Sequence, residues 1–288
     1  MNPKYLIVSP VRDEAEYIRG TVESVLAQNI LPAEWILVND GSKDDTESIL
    51  REYILKFPWM RLVNLSDRGF RKAGGGVMQA FYAGFNARTV EDWDFVVKLD
   101  ADVTFAPDYF ASCLKHFSED PRLGIAGGQR FNIIAQKPVI EKTPHFHVNG
   151  STKIYRRACW ESIGGLRVTV GWDTIDEVMA NMHGWSTTTF SEIVLNHHRF
   201  TGDADGAWRS NVKYGRIGYL CGYHPCYMLA RCIYRSFSKP YGLRSAAMAY
   251  GYLHDALQRR PRPVDQEFVR FVHTQQWRRL TGAESIWR

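Results

Sequence analysis

The chain has 288 residues, of which 45% are hydrophobic and 23% charged, and its formal net charge is +5. This length can bury a full core as one large domain or two small ones, and the composition is that of a soluble globular protein. No apolar run reaches the roughly 18 residues of a spanning helix, and the first apolar stretch, Tyr5 to Val8, is too short for a signal peptide.

The five cysteines are odd in number and form no Cys-x-x-Cys pair, so they read as buried thiols of a reducing compartment. Charge is distributed unevenly, with −3 over residues 1–200 and +8 over residues 201–288. No fixed-period repeat or low-complexity segment occurs. Breaks are expected at residues 136–149, rich in Lys, Pro and His, and at the Gly/Asp turn 201–206. The chain therefore divides into a main body, 1–200, and a basic, aromatic extension, 201–288.

In chain order, residues 5–8 form a short buried strand that stops at Ser9-Pro10. Ile18, Val22, Val25 and Leu26 then recur at helical spacing, with Asp13, Glu14 and Glu16 expected in the first turn, where the helix dipole favours them. A second strand, 35–38, ends in Asn39-Asp40-Gly41-Ser42 and leads to a helix with Ile49, Leu50, Tyr53 and Ile54 on one face. A third strand, 61–65, runs into a glycine-rich loop at 67–76. The helix that follows carries Val77, Phe81, Gly84 and Phe85. The fourth strand reads Phe95-Val96-Val97-Lys98-Leu99 and closes on Asp100-Ala101-Asp102.

Strands alternating with helices imply a parallel sheet with right-handed crossovers. All strand ends then gather on one rim, where open α/β sheets bind ligands. That rim would hold residues 9–14, 39–42, 67–72 and 100–102. Asp100 and Asp102 repel each other unless a cation lies between them, and hard oxygen ligands suit Mg²⁺ or Mn²⁺. Asp40, before a Gly-Ser turn, can accept from the imide N–H of a uracil ring. Arg68, Arg71 and Lys72 among glycines suit a diphosphate. There is no Gly-x-x-x-x-Gly-Lys-Ser/Thr loop and no Gly-x-Gly-x-x-Gly after the first strand, which disfavours ATPases and Rossmann dehydrogenases.

Ser9-Pro10-Val11-Arg12-Asp13-Glu14, Val38-Asn39-Asp40-Gly41-Ser42 and Leu99-Asp100-Ala101-Asp102 together resemble the successive signatures of family 2 glycosyltransferases. The resemblance continues through Gly164-Gly165-Leu166 and Gly171-Trp172-Asp173-Thr174-Ile175-Asp176-Glu177. It implies an α/β GT-A fold, a mostly parallel sheet flanked by helices, with residues 201–288 as a helical C-terminal extension. It also implies an inverting, Mn²⁺- or Mg²⁺-dependent enzyme that uses nucleotide-sugars, with UDP-sugar the expected donor. By position, Pro10, Arg12, Glu14 and Asp40 would contact the nucleoside, Asp100 the ribose or the metal, and Asp102 the metal on the diphosphate. Where the family usually has a lysine this chain has Val77, which leaves Arg71 or Lys72 to meet the diphosphate.

Asp173 sits where the family's Glu-Asp pair supplies the catalytic base. Trp172 replaces the first acid, so Asp176 and Glu177 stay open as alternatives; Asp173 as a helix N-cap is the structural reading. Many GT-A enzymes complete the metal shell with a late histidine, and of His197 and His198 the expected ligand is His198. The acceptor would be a saccharide or lipid-linked intermediate of polysaccharide or glycolipid synthesis.

In the extension, aromatic residues alternate with Arg216, Arg231, Arg235 and Lys239. Ala246, Ala249, Tyr250, Leu253 and Leu257 form a helical stripe. One reading is a pair of helices packed on the sheet with arginine stems reaching outward. The other is attachment to an anionic membrane surface, on the inner face of the membrane of a cytoplasmic protein. The tail carries no recognised nucleic-acid motif, so nucleic acid is not an expected partner. A non-catalytic nucleotide-sugar-binding subunit of a membrane glycosyltransferase complex is the alternative function.

Overall fold

The computed structural model describes residues 3–67, 75–141, 143–199, 206–237 and 241–287. Its first half alternates strand and helix: β1 (Tyr5–Val11), α1 (Ile18–Leu26), β2 (Glu34–Asn39), α2 (Thr46–Ile54), β3 (Met60–Asn64), α3 (Gly75–Asn86) and β4 (Phe95–Leu99). β1 pairs in parallel with β2 and β4, and β2 with β3. Every residue of β4, and all of β1 but the half-buried Pro10, is buried, which is why these strands read as continuous apolar runs.

Alternation along β1 sends its side chains to two cores. Tyr5 and Ile7 pack with Ile18 and Val22 of α1 and Leu50 of α2. Leu6 and Val8 pack with Phe81 and Phe85 of α3 on the opposite face. The result is a helix–sheet–helix sandwich. β1 runs three residues beyond its expected end because Ser9, Pro10 and Val11 continue the ladder opposite Leu37, Val38 and Asn39. Asp13, Glu14 and Glu16 precede α1 rather than forming its first turn.

The second half adds β5 (Val103–Phe105), α4 (Tyr109–Glu119), β6 (Leu123–Ile134), β7 (Lys137–Ile140), β8 (Thr152–Arg156), α5 (Arg157–Ser162), α6 (Trp172–Met182) and β9 (Ser186–His197). The sheet order is β3-β2-β1-β4-β8-β6-β9-β5, with β7 paired to β6. β8 inserts antiparallel between β4 and β6, and β5 runs antiparallel to β9. The sheet is therefore mixed, although parallel ladders contain most of its paired residues.

Among its described residues the extension holds four helices rather than a pair: α7 (Gly206–Leu220), α8 (Pro225–Ser236), α9 (Leu243–Leu257) and α10 (Gln266–Leu280). They pack on one another and on α6, in a third core that joins Ile175 and Val178 to Tyr219, Met228, Met248 and Val272. Among the described residues no helix is long and apolar enough to cross a membrane. Four cysteines are buried as expected, but Cys226 at the start of α8 is exposed.

α7 and α9 touch backbone to backbone through glycines. A Cβ on Gly251 would lie 2.1 Å from the Val212 carbonyl oxygen, and one on Gly215 would lie 2.0 Å from that of Met248. Gly251→Ala is expected to cost about 1–3 kcal/mol by forcing the helices apart. An unchanged thermal midpoint would contradict the tight crossing.

Candidate active site

The β1–α1 and β2–α2 loops are laced together at the sheet rim. Asp13 adopts φ 53°, and its Oδ1 accepts from Lys43 N at 2.8 Å while its own N–H donates to Ser42 Oγ at 3.0 Å. Glu14 N donates to Thr46 Oγ1 at 2.8 Å. Arg12 spans the gap, donating to the Asp40 carbonyl oxygen at 3.0 Å and to Asp67 Oδ1 at 2.8 Å. Asp40 is buried just past the end of β2, its N–H donating to the Val11 carbonyl oxygen at 2.8 Å, and Pro10 is half-buried. Arg71 and Lys72 lie outside the described residues.

Arg199, just past β9, closes this rim from the other side. Its Nη2 donates to Glu14 Oε2 at 2.7 Å and to the Asp13 carbonyl oxygen at 2.8 Å, and its guanidinium lies 5.4 Å from the Tyr17 ring centroid. Buried Glu14 is thus engaged by a cation of the protein itself.

Asp102 follows β4 on a tight turn. Its Oδ2 lies 3.4 Å from His197 Nε2, and its buried Oδ1 meets no hydrogen-bond partner among the described residues. Burial works against its charge, but His197 and Arg199 outweigh burial and hold the carboxyl below its usual range. Asp100 moves the other way: burial and the Asp102 charge push it up against the pull of Lys98. Lys98, buried, forms an ion pair with Asp100 and donates to the Gly150 carbonyl oxygen at 2.5 Å.

The histidine that meets Asp102 is His197, where the sequence favoured His198. His198 directs Nε2 to Thr104 Oγ1 at 2.8 Å and stacks near Tyr17, while its backbone N–H donates to the Asp102 carbonyl oxygen at 2.9 Å. The signal for His197 is the pairing of β9 with β5, which sets His197 opposite Val103, next to Asp102.

Asp173 stands at the start of α6. Gly171, at φ 82°, is the cap residue, so Asp173 occupies the second helical position rather than the N-cap. It is half-buried, and its Oδ2 would lie 3.6 Å from a Cβ on Gly150. The 149–151 segment therefore touches both halves of the site: Gly150 holds Lys98 of the Asp100 pair, Ser151 accepts from Asp100 N at 2.8 Å, and Asp173 lies across from Gly150.

Asp176 and Glu177 point inward. Lys153 Nζ lies 2.9 Å from both Asp176 carboxylate oxygens and 2.7 Å from Glu177 Oε1. Tyr155 Oη donates to Asp176 at 2.5 Å, and Glu177 accepts from Val148 N at 2.7 Å and contacts His147 Nδ1 at 2.9 Å. Burial pushes the Asp176 carboxyl up to about 6 against the pull of Lys153. Lys153 also donates to the Asp173 carbonyl oxygen at 2.7 Å, tying the network to the turn that carries Asp173. Trp172 fills the space between Lys98 and Lys153, 5.5 Å from each ammonium.

A mostly parallel α/β sheet with carboxylates at its rim, a further carboxylate at a helix start beside Gly150 and a helical C-terminal layer agree with a GT-A fold. Across the whole fold the chain is similar to the mannosyltransferase PcManGT from Pyrobaculum calidifontis, solved with GDP-Man and Mn²⁺. That match has a TM-score of 0.58 at 18% identity and covers 99% of this chain and 77% of that one. It is also similar to S. aureus TarS 1–349 with UDP, at TM-score 0.56 and 13% identity, covering 88% and 72%. The profile of Glycosyl transferase family 2 matches residues 6–166, and the chain belongs to that family. A chondroitin synthase of Escherichia coli is 31% identical over 121 residues, which are 41% of this chain and 16% of that protein. The poly-beta-1,6-N-acetyl-D-glucosamine synthase of Staphylococcus epidermidis is 30% identical over 118 residues, 40% of this chain and 26% of that protein. The chain thus spans only a fraction of the length of these relatives.

Proposed function

We propose that this glycosyltransferase transfers a sugar, with inversion, from a UDP-sugar to an acceptor hydroxyl in polysaccharide or glycolipid synthesis. The observation that supports this reading is the 149–151 segment, where Ser151 accepts from Asp100 N and Gly150 both holds Lys98 and lies near the Asp173 carboxylate. In this reading a donor whose diphosphate sits at Asp102 presents its anomeric carbon toward Asp173. Arg12, Pro10 and Asp40 shape the nucleoside end, and Asp100, held by Lys98, lies between nucleoside and diphosphate. Arg71 and Lys72 remain the proposed cationic partners of the diphosphate.

A sugar hydroxyl is a weak nucleophile. Asp173 takes its proton as the new bond forms, and attack opposite the diphosphate inverts the anomeric carbon. The carboxylate of Asp173 makes no hydrogen bond to a described residue, which leaves it available to an acceptor. Asp176 and Glu177 are committed to Lys153, Tyr155 and His147, so neither is the proposed base.

The donor set fits a divalent ion. Asp102 offers a buried oxygen without a partner among the described residues, and His197 an imidazole beside it. No group of three or more metal-binding side chains is assembled among the described residues, so phosphate oxygens and water would complete the shell, as Mg²⁺ and Mn²⁺ allow. When bound, Mn²⁺ or Mg²⁺ neutralises charge developing on the nucleoside diphosphate. Asp102→Asn is expected to weaken UDP binding in Mn²⁺ by about tenfold or more at unchanged thermal stability, with a smaller effect for Asp100→Asn. Calorimetry showing unchanged affinity and unchanged metal dependence would remove Asp102 from this role.

The donor is tested by thermal shift with a panel of nucleotide-sugars in Mn²⁺: a UDP-sugar should raise the midpoint by mass action, and a response to GDP-sugars alone contradicts the UDP assignment. The second reading, a non-catalytic nucleotide-sugar-binding subunit, rests on Trp172 in place of an acid beside Asp173. Peripheral attachment of the helical extension to an anionic membrane surface, on the cytoplasmic side, is part of the proposal, because it would bring a lipid-linked acceptor to the rim.

A further inference from the structure

The stripe expected in α9 faces outward except at Ala249, which is half-buried against the third core. Ala246, Tyr250, Leu253 and Leu257 are exposed, while Ala247, Met248, Gly251 and Tyr252 of the same helix are buried. The helix is apolar on both sides, and only one side is used for packing. α8 behaves alike: Tyr227, Met228 and Cys232 are buried, and Leu229, Ile233 and Phe237 lie exposed on the other side at helical spacing. Phe237 is 77% and Leu257 84% exposed. Single exposed apolar residues need no explanation, but two unbroken helical stripes do.

The charge around them has one sign. Residues 206–257 contain seven Lys/Arg and a single acid, Asp255. Asp255 is fully buried, paired with Arg216 at 3.1 Å and Arg260 at 3.5 Å. The surface of α7–α9 therefore presents Arg209, Lys213 and Arg244 with no exposed carboxylate among its described residues. Arg231 and Arg235 lie over the rings of Tyr223 and Tyr214, at 5.5 and 5.9 Å. Lys239, the fourth charge expected to hold a membrane, lies outside the described residues.

We infer that the exposed stripes of α8 and α9 insert into the headgroup layer of an anionic bilayer, with the basic residues gripping lipid phosphates at the edge. Apolar stripes framed by cations match that environment on both counts. A second copy of the chain matches less well, because its own basic rim would face this one. The mode differs from attachment by arginines alone, since apolar insertion resists salt. It also reaches the catalytic turn: α7 ends against α6, where Cys221 Sγ and Ile217 Cγ2 each lie 3.0 Å from a Cβ position on Gly171. The inference rests on the reading of the extension as a membrane-attached module, and vesicle binding tests it without reference to sugar transfer.

The test is sedimentation with vesicles of phosphatidylglycerol and phosphatidylcholine, at low and high salt, with UDP affinity and thermal midpoint measured alongside. The wild-type chain should bind, and should retain part of that binding at high salt. The triple variants Leu229→Ser/Ile233→Ser/Phe237→Ser and Tyr250→Ser/Leu253→Ser/Leu257→Ser should keep their midpoints and UDP affinity, with partitioning reduced about tenfold or more in at least one of them. Wild-type partitioning by both variants overturns the inference. So does a wild-type dimer in light scattering that ignores vesicles and turns monomeric in either variant, which would assign the face to self-association.

Discussion

Asp173→Asn is expected to bind the nucleotide-sugar as the wild type does and to lose transfer by about 10²–10⁴-fold, the range for a positioned proton acceptor. The carboxamide keeps the shape and the second helical position but has no site that takes a proton. The fold should persist, because the network beneath the turn uses the backbone oxygen of Asp173 and not its side chain. Asp176→Asn and Glu177→Gln should instead lower the melting temperature, as each removes a charge from Lys153. Single-turnover kinetics with calorimetry separates these outcomes. Normal transfer by Asp173→Asn, with loss in the other two variants, would move the base to α6's inward face.

Lys153→Met should destabilise the protein by about 3–5 kcal/mol, because removing one partner leaves buried charges uncompensated. In a chain of this size that corresponds to a fall of about 10 °C in the thermal midpoint. The sign of its pH dependence follows from Asp176, whose folded-state value is raised to about 6. Without Lys153 the neutral carboxyl is favoured further, so the deficit against wild type should be largest at alkaline pH, shrink as pH falls toward about 6 and level off below it. A midpoint within measurement error of wild type would contradict the network, and a deficit that grows in acid would reverse the sign.

The parallel half of the fold was legible because β1 to β4 are short, apolar and separated by helical periods, and their ends converge by topology alone. Pro10, Arg12, Asp40 and Asp102 could be grouped on that ground. The identity of the histidine could not be read this way. Two adjacent histidines at a strand end alternate sides, and only the pairing of β5 with β9, across some ninety residues, tells which one meets Asp102. Asp176 and Glu177 posed the same problem, since their partners Lys153, Tyr155 and His147 lie upstream on β8 and the loop before it. In α9 periodicity found a real stripe, but the helix carries a second apolar face at Ala247, Met248 and Tyr252, and packing chose that one. α10, with its weak apolar period, gave no signal.

Single-turnover release of nucleoside diphosphate from a panel of nucleotide-sugars in Mn²⁺ tests catalysis most directly, because water can stand in for the unknown acceptor. The wild-type chain should release UDP from at least one UDP-sugar and Asp173→Asn should not, although both bind it. Binding of a donor by both chains with release from neither would contradict catalysis and leave a nucleotide-sugar-binding subunit.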